Sequence, residues 1–150
     1  MKNFNKEILL LIGITLVILS IVFIFVKTNQ PEKVCIESKS CFVVEIADSE
    51  EERRTGLSNK DSIEEDEGML FTFQEEEFPG FWMKDMNFSI DIIWISSDMK
   101  IIGIERNIQP CGQDSCLIFY PQEKIKYVLE INSGMSERYG FEEGDSVYLR

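Results

Sequence analysis

The sequence contains no histidine. This absence removes the Ser-His and Cys-His pairs of many nucleophilic enzymes, and it removes the commonest metal ligand. Cysteine occurs four times but never as Cys-x-x-Cys, so neither a thioredoxin-like redox pair nor a pair of zinc knuckles is indicated. We therefore predict no metal site and no cofactor, and any catalysis would depend on carboxyl groups.

Positive charge is also scarce. The 150 residues include 15 Lys and Arg against 27 Asp and Glu, which gives a formal net charge of −12. All but one of the acidic residues and all but three of the basic residues follow residue 27. Such a charge repels nucleic acid and anionic lipid headgroups, so we do not expect nucleic acid as a partner. It would attract cationic ligands, or it serves solubility alone.

One long apolar run lies near the N-terminal end. Ile8 to Val26 is 19 residues without a charge, about the length that crosses a hydrocarbon core of roughly 30 Å. No small-x-small cleavage motif follows it, so the run predicts an uncleaved transmembrane helix; a removed signal peptide is the alternative. Lysines flank both sides equally, and the cysteines, which suit an oxidising exterior, decide the orientation. We predict a single-pass membrane anchor at 1–27, a linker at 28–33 and a domain at 34–150 outside the cytoplasmic membrane.

The four cysteines form two close pairs in the sequence, Cys35 with Cys41 and Cys111 with Cys116. Four cysteines allow three connectivities. The first pair flanks a turn between apolar segments and the second clamps a proline-containing loop, so local bridges are predicted. Each would stabilise the domain by about 2 kcal/mol. A four-thiolate zinc site is the alternative, but these spacings do not match its usual pattern.

The remaining sequence alternates short apolar segments with turns. Ser49 and Glu52 match the capping box that opens a short helix, which should end at Gly56, and a helical turn is predicted at 136–139. A turn is predicted at 75–80. Strands are predicted at 34–36, 41–47, 68–73, 88–94, 100–108, 127–132 and 146–150. The predicted fold is mostly β, a small barrel or sandwich with two short helices, preceded by the transmembrane helix.

Six blocks of the sequence occur in an order typical of one family. They are VEIADSEEERRTGL (44–57), DEGML (66–70), FWMK (81–84), IDIIWI (90–95), the loop at 110–116 and YVLEINSG (127–134). Residues 43–148 thereby resemble the uncharacterised family called domain of unknown function 192. The resemblance implies a compact, mostly-β domain that is often exported behind a signal or an anchor, and it implies no activity.

The chain departs from that family pattern at two places. Ser58 stands where methionine is usual, and Asp85 with Met86 stands where Asn-Thr is usual. If the asparagine amide of the family binds a ligand, Asp85 replaces a donor and acceptor with an anion. A ligand common to the family is therefore not assumed here.

The segment Phe81 to Trp94, FWMKDMNFSIDIIW, places charges within a strongly apolar run. We predict that its second half is a core strand and that its first half is a loop, which carries Trp82 and Lys84 to the rim of a shallow site. Asp91 shares its strand face with isoleucines. Asp91 is either a shielded functional carboxylate or a non-functional one, which is exposed to solvent or accepts hydrogen bonds from backbone N–H groups.

Two glutamates are further candidates. Glu130 lies on a strand face with Lys126, Val128 and Asn132, which we interpret as a solvated face, and only the family resemblance favours it. Glu105 could face a pocket. Two such carboxylates could hydrolyse a glycosidic bond if they lay about 5–9 Å apart. The candidate site residues are Trp82, Lys84, Asp85, Asp91, Glu105 and Glu130.

Three functions compete on this basis. We favour a binding or accessory module at the cell surface, with an unknown small ligand or surface partner. The alternatives are a carboxylate-based hydrolase with Lys84 as electrostatic stabiliser, and a purely structural envelope protein. The aromatic residues Phe81, Trp82 and Trp94 would form a stacking platform in a binding module and would be core residues in a structural protein.

Overall fold

The computed structural model describes residues 12–18, 32–112 and 116–150. The chain divides into two compact units, residues 1–31 and 32–150. In the first unit, residues 12–18 are helical, and the rest of the predicted span at 8–26 lies outside the described residues. Within the described ranges, no helix is both long enough and apolar enough to cross a membrane.

The described residues of the second unit form nine strands and two short helices. β1 begins at Glu32, so the last two residues of the predicted linker belong to a strand. The strands are β1 (Glu32–Ile36), β2 (Ser40–Ala47), β3 (Glu67–Glu77), β4 (Phe81–Trp82), β5 (Ile90–Ile95), β6 (Ile101–Ile108), β7 (Ile118–Phe119), β8 (Ile125–Asn132) and β9 (Val147–Leu149), and the helices are α1 (Glu50–Thr55) and α2 (Met135–Arg138).

Seven of the strands form one curled sheet in the order β6-β5-β8-β3-β2-β1-β9. Its neighbouring strands are antiparallel except β2 and β3, which are parallel and therefore need the crossover that contains α1. The two edges of the sheet approach each other, because Lys100 pairs with Ser146 and the Val147 N–H donates to Met99 O at 2.9 Å. The fold is thus mostly β, a half-barrel with a few short helices, and the predicted fold class is confirmed at this level.

The two faces of the curled sheet bury two separate cores. All seven strands contribute to the inner core, which includes Leu70, Ile93 and Leu129. The outer core lies mainly on β3, β8 and β5, where it includes Phe71, Trp94 and Val128, and it reaches Ala47 on β2 and Ile108 on β6. Loop residues such as Leu57 and Met83 close it from outside. β5 is buried on both faces because it lies between these cores.

Features formed by near neighbours in sequence match the predictions. Cys35 and Cys41 face each other across the β1–β2 hairpin and form a disulfide, and a second disulfide joins Cys111 to Cys116. Ser49 caps α1 in a complete capping box, and Gly56 follows the helix with φ of 51°. These disulfides are typical of domains outside the cytoplasm.

The turn predicted at 75–80 begins later in the structure. β3 continues through Glu77, with a register irregularity after Thr72 and a pairing of Glu77 with Ile125. Residues 74–77 are exposed, so their side chains are solvated while the backbone still pairs. Glu75, Glu76 and Glu77 therefore belong to the exposed end of β3 and do not form the predicted turn.

Candidate functional site

A cavity of about 120 Å³ lies over the outer core, beside α1. We call it the Glu130 cavity, since Glu130 on β8 belongs to its lining. The other lining residues are 53–58 at the end of α1 and in the turn after it, Phe71 and Phe73 on β3, residues 79–82, Lys84 and Met86. Elements far apart in sequence thus build one small concavity.

Glu130 is the acid in this cavity, and its side chain is nearly buried, with 5% of its surface exposed. Its cross-strand neighbours, Met69 on β3 and Ile92 on β5, are both apolar. Within the described part of the chain the carboxyl group has no hydrogen-bond or ion-pair partner. Burial raises the pKa of Glu130 from 4.5 to about 8, so the acid is mostly protonated at neutral pH.

The prediction that the side chain of Glu130 is solvated is therefore wrong. The prediction followed Lys126 and Asn132, which share its side of the strand and are partly exposed near the strand ends. Glu130 instead faces the outer core, which loop residues from elsewhere in the chain cover. No periodicity within β8 reveals that cover. In the sequence, the only indication that Glu130 belongs to a site was its place in the YVLE block of the family.

Three cations line the same cavity. Arg53 lies above the Phe73 ring, 5.1 Å from its centroid, and donates to Thr72 O at 3.0 Å and to Asp48 O. Arg54 has only a long contact with Glu50, 3.7 Å between exposed side chains. Lys84 is exposed, and no hydrogen bond or ion pair involves its ammonium group among the described residues. Of these three cations, the sequence predicted only Lys84 at the rim of a site.

The aromatic residues of the predicted platform divide into core and rim. Phe81 packs edge-on between Phe71 and Trp94, with ring centroids 4.9 and 5.4 Å apart. Trp94 is buried, and its indole N–H has no hydrogen-bond partner in the described part of the chain. Trp82 is 45% exposed, lines the cavity and pairs with Ile118 of β7. Only Trp82 is therefore placed to contact a ligand from the surface.

Asp91 does not line this cavity, and its hydrogen bonds indicate a structural role. Its carboxyl group is fully buried and accepts from the N–H groups of Asn107 (2.8 Å), Gly134 (3.1 Å) and Ser136 (3.0 Å), and from the Ser136 hydroxyl (2.7 Å). These contacts tie the end of β6 and the start of α2 to β5, the second strand of the sheet. Of the two interpretations of Asp91, the structure matches the one in which it satisfies backbone donors.

Asp85 and Glu105 also lie apart from Glu130. Asp85 is exposed in a turn with φ of 59°, a left-handed conformation that Asp and Asn tolerate, and its side chain is outside the cavity. Glu105 pairs with Ile92 from β6, whereas Glu130 pairs with Ile92 from β8. The buried isoleucine lies between them, and Glu105 lines a different cavity, of about 470 Å³. Among the residues that line the Glu130 cavity, Glu130 is therefore the only acid.

Comparison with known proteins places the domain in a family. The model of domain of unknown function 192 (DUF192), described as an uncharacterized ACR, matches residues 32–149. No curated protein matches the chain. A candidate transcription regulator of Sinorhizobium meliloti 1021 has a similar structure, with 30% identity, a TM-score of 0.72 and coverage of 79% of this chain and 93% of that chain.

A protein of unknown function from Novosphingobium aromaticivorans DSM 12444 is also similar, at 28% identity and a TM-score of 0.70, with 77% of this chain and 83% of that chain covered. The resemblance seen in the six ordered sequence blocks is thus confirmed. The chain belongs to the DUF192 family.

Proposed function

We propose that residues 32–150 form a small-molecule binding module outside the cytoplasmic membrane, with the Glu130 cavity as its site. The observation that carries this proposal is Glu130, which lines an open cavity, is nearly buried and has a carboxyl group without a partner among the described residues. A buried polar group without a partner costs free energy, typically about 1–3 kcal/mol. A ligand that hydrogen-bonds to Glu130 would offset that cost.

The size of the cavity restricts the ligand. At about 120 Å³ it is smaller than the roughly 300–1,000 Å³ typical of sites for drug-sized molecules. An apolar cavity of about 150 Å³ is known to hold benzene, so a single ring or a short chain is the appropriate scale. Trp82 beside the mouth would cover a ligand that projects outward.

Binding is favoured over the alternative of carboxylate-based hydrolysis. Glycosidases with two carboxylates need both groups at one scissile bond, roughly 5–9 Å apart. Of the residues that line the Glu130 cavity, only Glu130 is acidic. Asp91 is committed to backbone donors and Glu105 opens into another cavity.

The description of the Sinorhizobium relative as a candidate transcription regulator does not change the proposal. A chain with a net charge of −12 would be repelled by the phosphate backbone, whose neutralisation supplies most of the affinity of DNA-binding proteins. We therefore propose no nucleic-acid partner.

Ligand binding is tested by nuclear magnetic resonance on the full chain in nonionic detergent, labelled with ¹³C at the methionine methyl groups. Met86 lines the Glu130 cavity, whereas Met99 packs against the inner core and is an internal control. Fragments of one ring, with neutral, cationic and anionic members, should include some that shift Met86 saturably and leave Met99 unchanged. If no fragment of any charge shifts Met86, the cavity is not a binding site.

The proposed location rests on the uncharged run at 8–26 and on the two disulfides. In intact cells, the four cysteines should resist alkylation until a reductant is added, because an oxidising exterior keeps them bridged. The chain should also remain in the membrane fraction after a high-salt wash. Thiols that react without reductant would place the domain in a reducing compartment, and release by salt would exclude the anchor.

A further inference from the structure

The charge around the Glu130 cavity is opposite in sign to that of the whole protein. In a chain of net charge −12, the lining includes three cations, Arg53, Arg54 and Lys84, and no charged or acidic group besides these and Glu130. Since burial raises the pKa of Glu130 to about 8, that acid is largely uncharged at neutral pH. The cavity therefore has a local positive field within an acidic domain.

Among the described residues, the three cations have no close carboxylate partner. Arg53 donates to carbonyl oxygens, which leave its charge uncompensated, and the Arg54 contact with Glu50 is long and exposed. An exposed pair of that kind contributes little, about 0–1 kcal/mol. The close ion pairs of the described residues involve other cations: Lys39–Asp145 and Lys60–Glu45 at 2.6 Å, and Arg138–Glu65 at 2.8 Å.

The cavity thus has two ends with different chemistry. Exposed cations, Lys84 and Arg54, lie toward solvent, while the protonated carboxyl group of Glu130 can donate one hydrogen bond from a nearly buried position. Aromatic side chains, Phe71 and Phe81, also line the cavity and suit an apolar body. A ligand that matches all three features is a small anion with an apolar middle and a second oxygen.

We infer that the Glu130 cavity binds a small organic carboxylate that also carries a hydroxyl or carbonyl oxygen. Its carboxylate lies at Lys84 and Arg54, and its second oxygen accepts a hydrogen bond from Glu130. This inference rests on the proposed binding function and adds the ligand class. A cationic ligand would face three positive side chains, and a neutral one would leave them unused.

The inference is tested with three probes of nearly equal shape on the full chain in nonionic detergent. 4-Hydroxybenzoate carries both groups, 4-hydroxybenzamide lacks the charge and benzoate lacks the second oxygen. We expect 4-hydroxybenzoate to shift the Met86 methyl signal and to bind about tenfold more tightly than either analogue, the effect of one charge-assisted contact. Affinities are measured by calorimetry.

Two matched variants show whether the affinity for the anion depends on a cation of the cavity or on the overall charge of the protein. Lys84→Gln should weaken binding of 4-hydroxybenzoate about fivefold, because it removes a cation at the mouth. Lys124→Gln removes the same charge from an exposed lysine outside the cavity and should leave the affinity unchanged. Both positions are exposed, so both variants should fold.

The role of Glu130 has its own readout in the pH dependence. Wild-type affinity should fall as the pH rises from 7 to 8.5, since ionised Glu130 loses its donor proton and repels the ligand. The other charged groups that line the cavity are Arg53, Arg54 and Lys84. Glu130→Gln retains a donor and should bind with little pH dependence.

The possible outcomes separate the two proposals. If neutral or cationic fragments shift Met86 and 4-hydroxybenzoate does not, the carboxylate class is wrong while the binding function stands. If Lys84→Gln and Lys124→Gln weaken binding equally, the anion is attracted by overall charge and the inference is also wrong. If no fragment of any charge shifts Met86, both proposals fail.

Discussion

Replacing Glu130 with glutamine should stabilise the domain, and the gain should grow with pH. The carboxyl group has a pKa of 4.5 when solvated and about 8 in the folded domain. Between these values the unfolded chain has lost the proton that the folded domain still holds. Each pH unit in that interval therefore lowers the free energy of unfolding by about 1.4 kcal/mol.

The sign and the window follow from these two pKa values. The penalty is absent below about pH 4.5, reaches about 3 kcal/mol at pH 7 and is complete, at about 5 kcal/mol, above pH 8. Hydration of the cavity would reduce these upper figures. Glutamine has nearly the same shape and no proton to lose, so Glu130→Gln should remove the penalty and leave the packing against Met69 and Ile92 in place.

The measurement is urea unfolding of the full chain in nonionic detergent at pH 5, 6, 7 and 8, followed by tryptophan fluorescence. The informative quantity is the change with pH in the stability difference between Glu130→Gln and wild type. Constant differences between a buried amide and a buried acid cancel in it. Glu105→Gln, a change of the same kind at a half-buried glutamate on β6, is the control.

A stability difference that stays constant within about 0.5 kcal/mol from pH 5 to 8 would refute the reasoning. It would mean that Glu130 ionises in the folded domain as easily as in water. The Glu130 cavity would then be hydrated, and the argument from an unpartnered acid would no longer hold.

Three further predictions concern the scaffold, and all are checked by urea unfolding. Asp91→Ala should cost about 3–5 kcal/mol, because it leaves the buried Ser136 N–H and the part-buried N–H groups of Asn107 and Gly134 without this acceptor; a loss below about 1 kcal/mol would contradict the structural role. Gly56→Ala should cost about 1–3 kcal/mol, because φ is 51° and the new methyl group would lie 3.2 Å from the Phe71 ring. Its control is Gly112→Ala, which should be neutral because the new methyl group meets no atom of the described residues within 4 Å. Replacing Cys35 and Cys41 together by serine should cost about 2 kcal/mol through the freed unfolded chain, and an unchanged midpoint would show that the bridge is absent in solution.

Several parts of the fold follow from neighbouring residues alone. Ser49 and Glu52 lie within one helical turn, so their reciprocal hydrogen bonds are visible in the sequence as a capping box. Cys35 and Cys41 flank one hairpin turn, and the alternation of the Phe88–Trp94 segment places its side chains on two faces. In each case the interacting groups are close in sequence, and local geometry leaves few alternatives.

The order of the strands could not be predicted in this way. β2 and β3 are consecutive and parallel, and β8 inserts between β3 and β5, so the sheet depends on pairings across long stretches of chain. Asp91 shows the consequence. Its sequence context allowed either a functional or a structural carboxylate, and only the positions of residues 107, 134 and 136 decide between them.

By itself, the sequence determined the family, the mostly-β class, the two disulfides and the acidic charge of the domain. These depend on composition and on contacts within a few residues. The tertiary structure alone decided that Glu130 is buried, because its cover comes from α1 and from residues 79–86, which the strand pattern of β8 does not contain. The desolvation of a group depends on all the residues packed around it. The pattern of β8 alone therefore predicts a solvated Glu130, whereas in the folded domain Glu130 is a mostly protonated acid in a cavity.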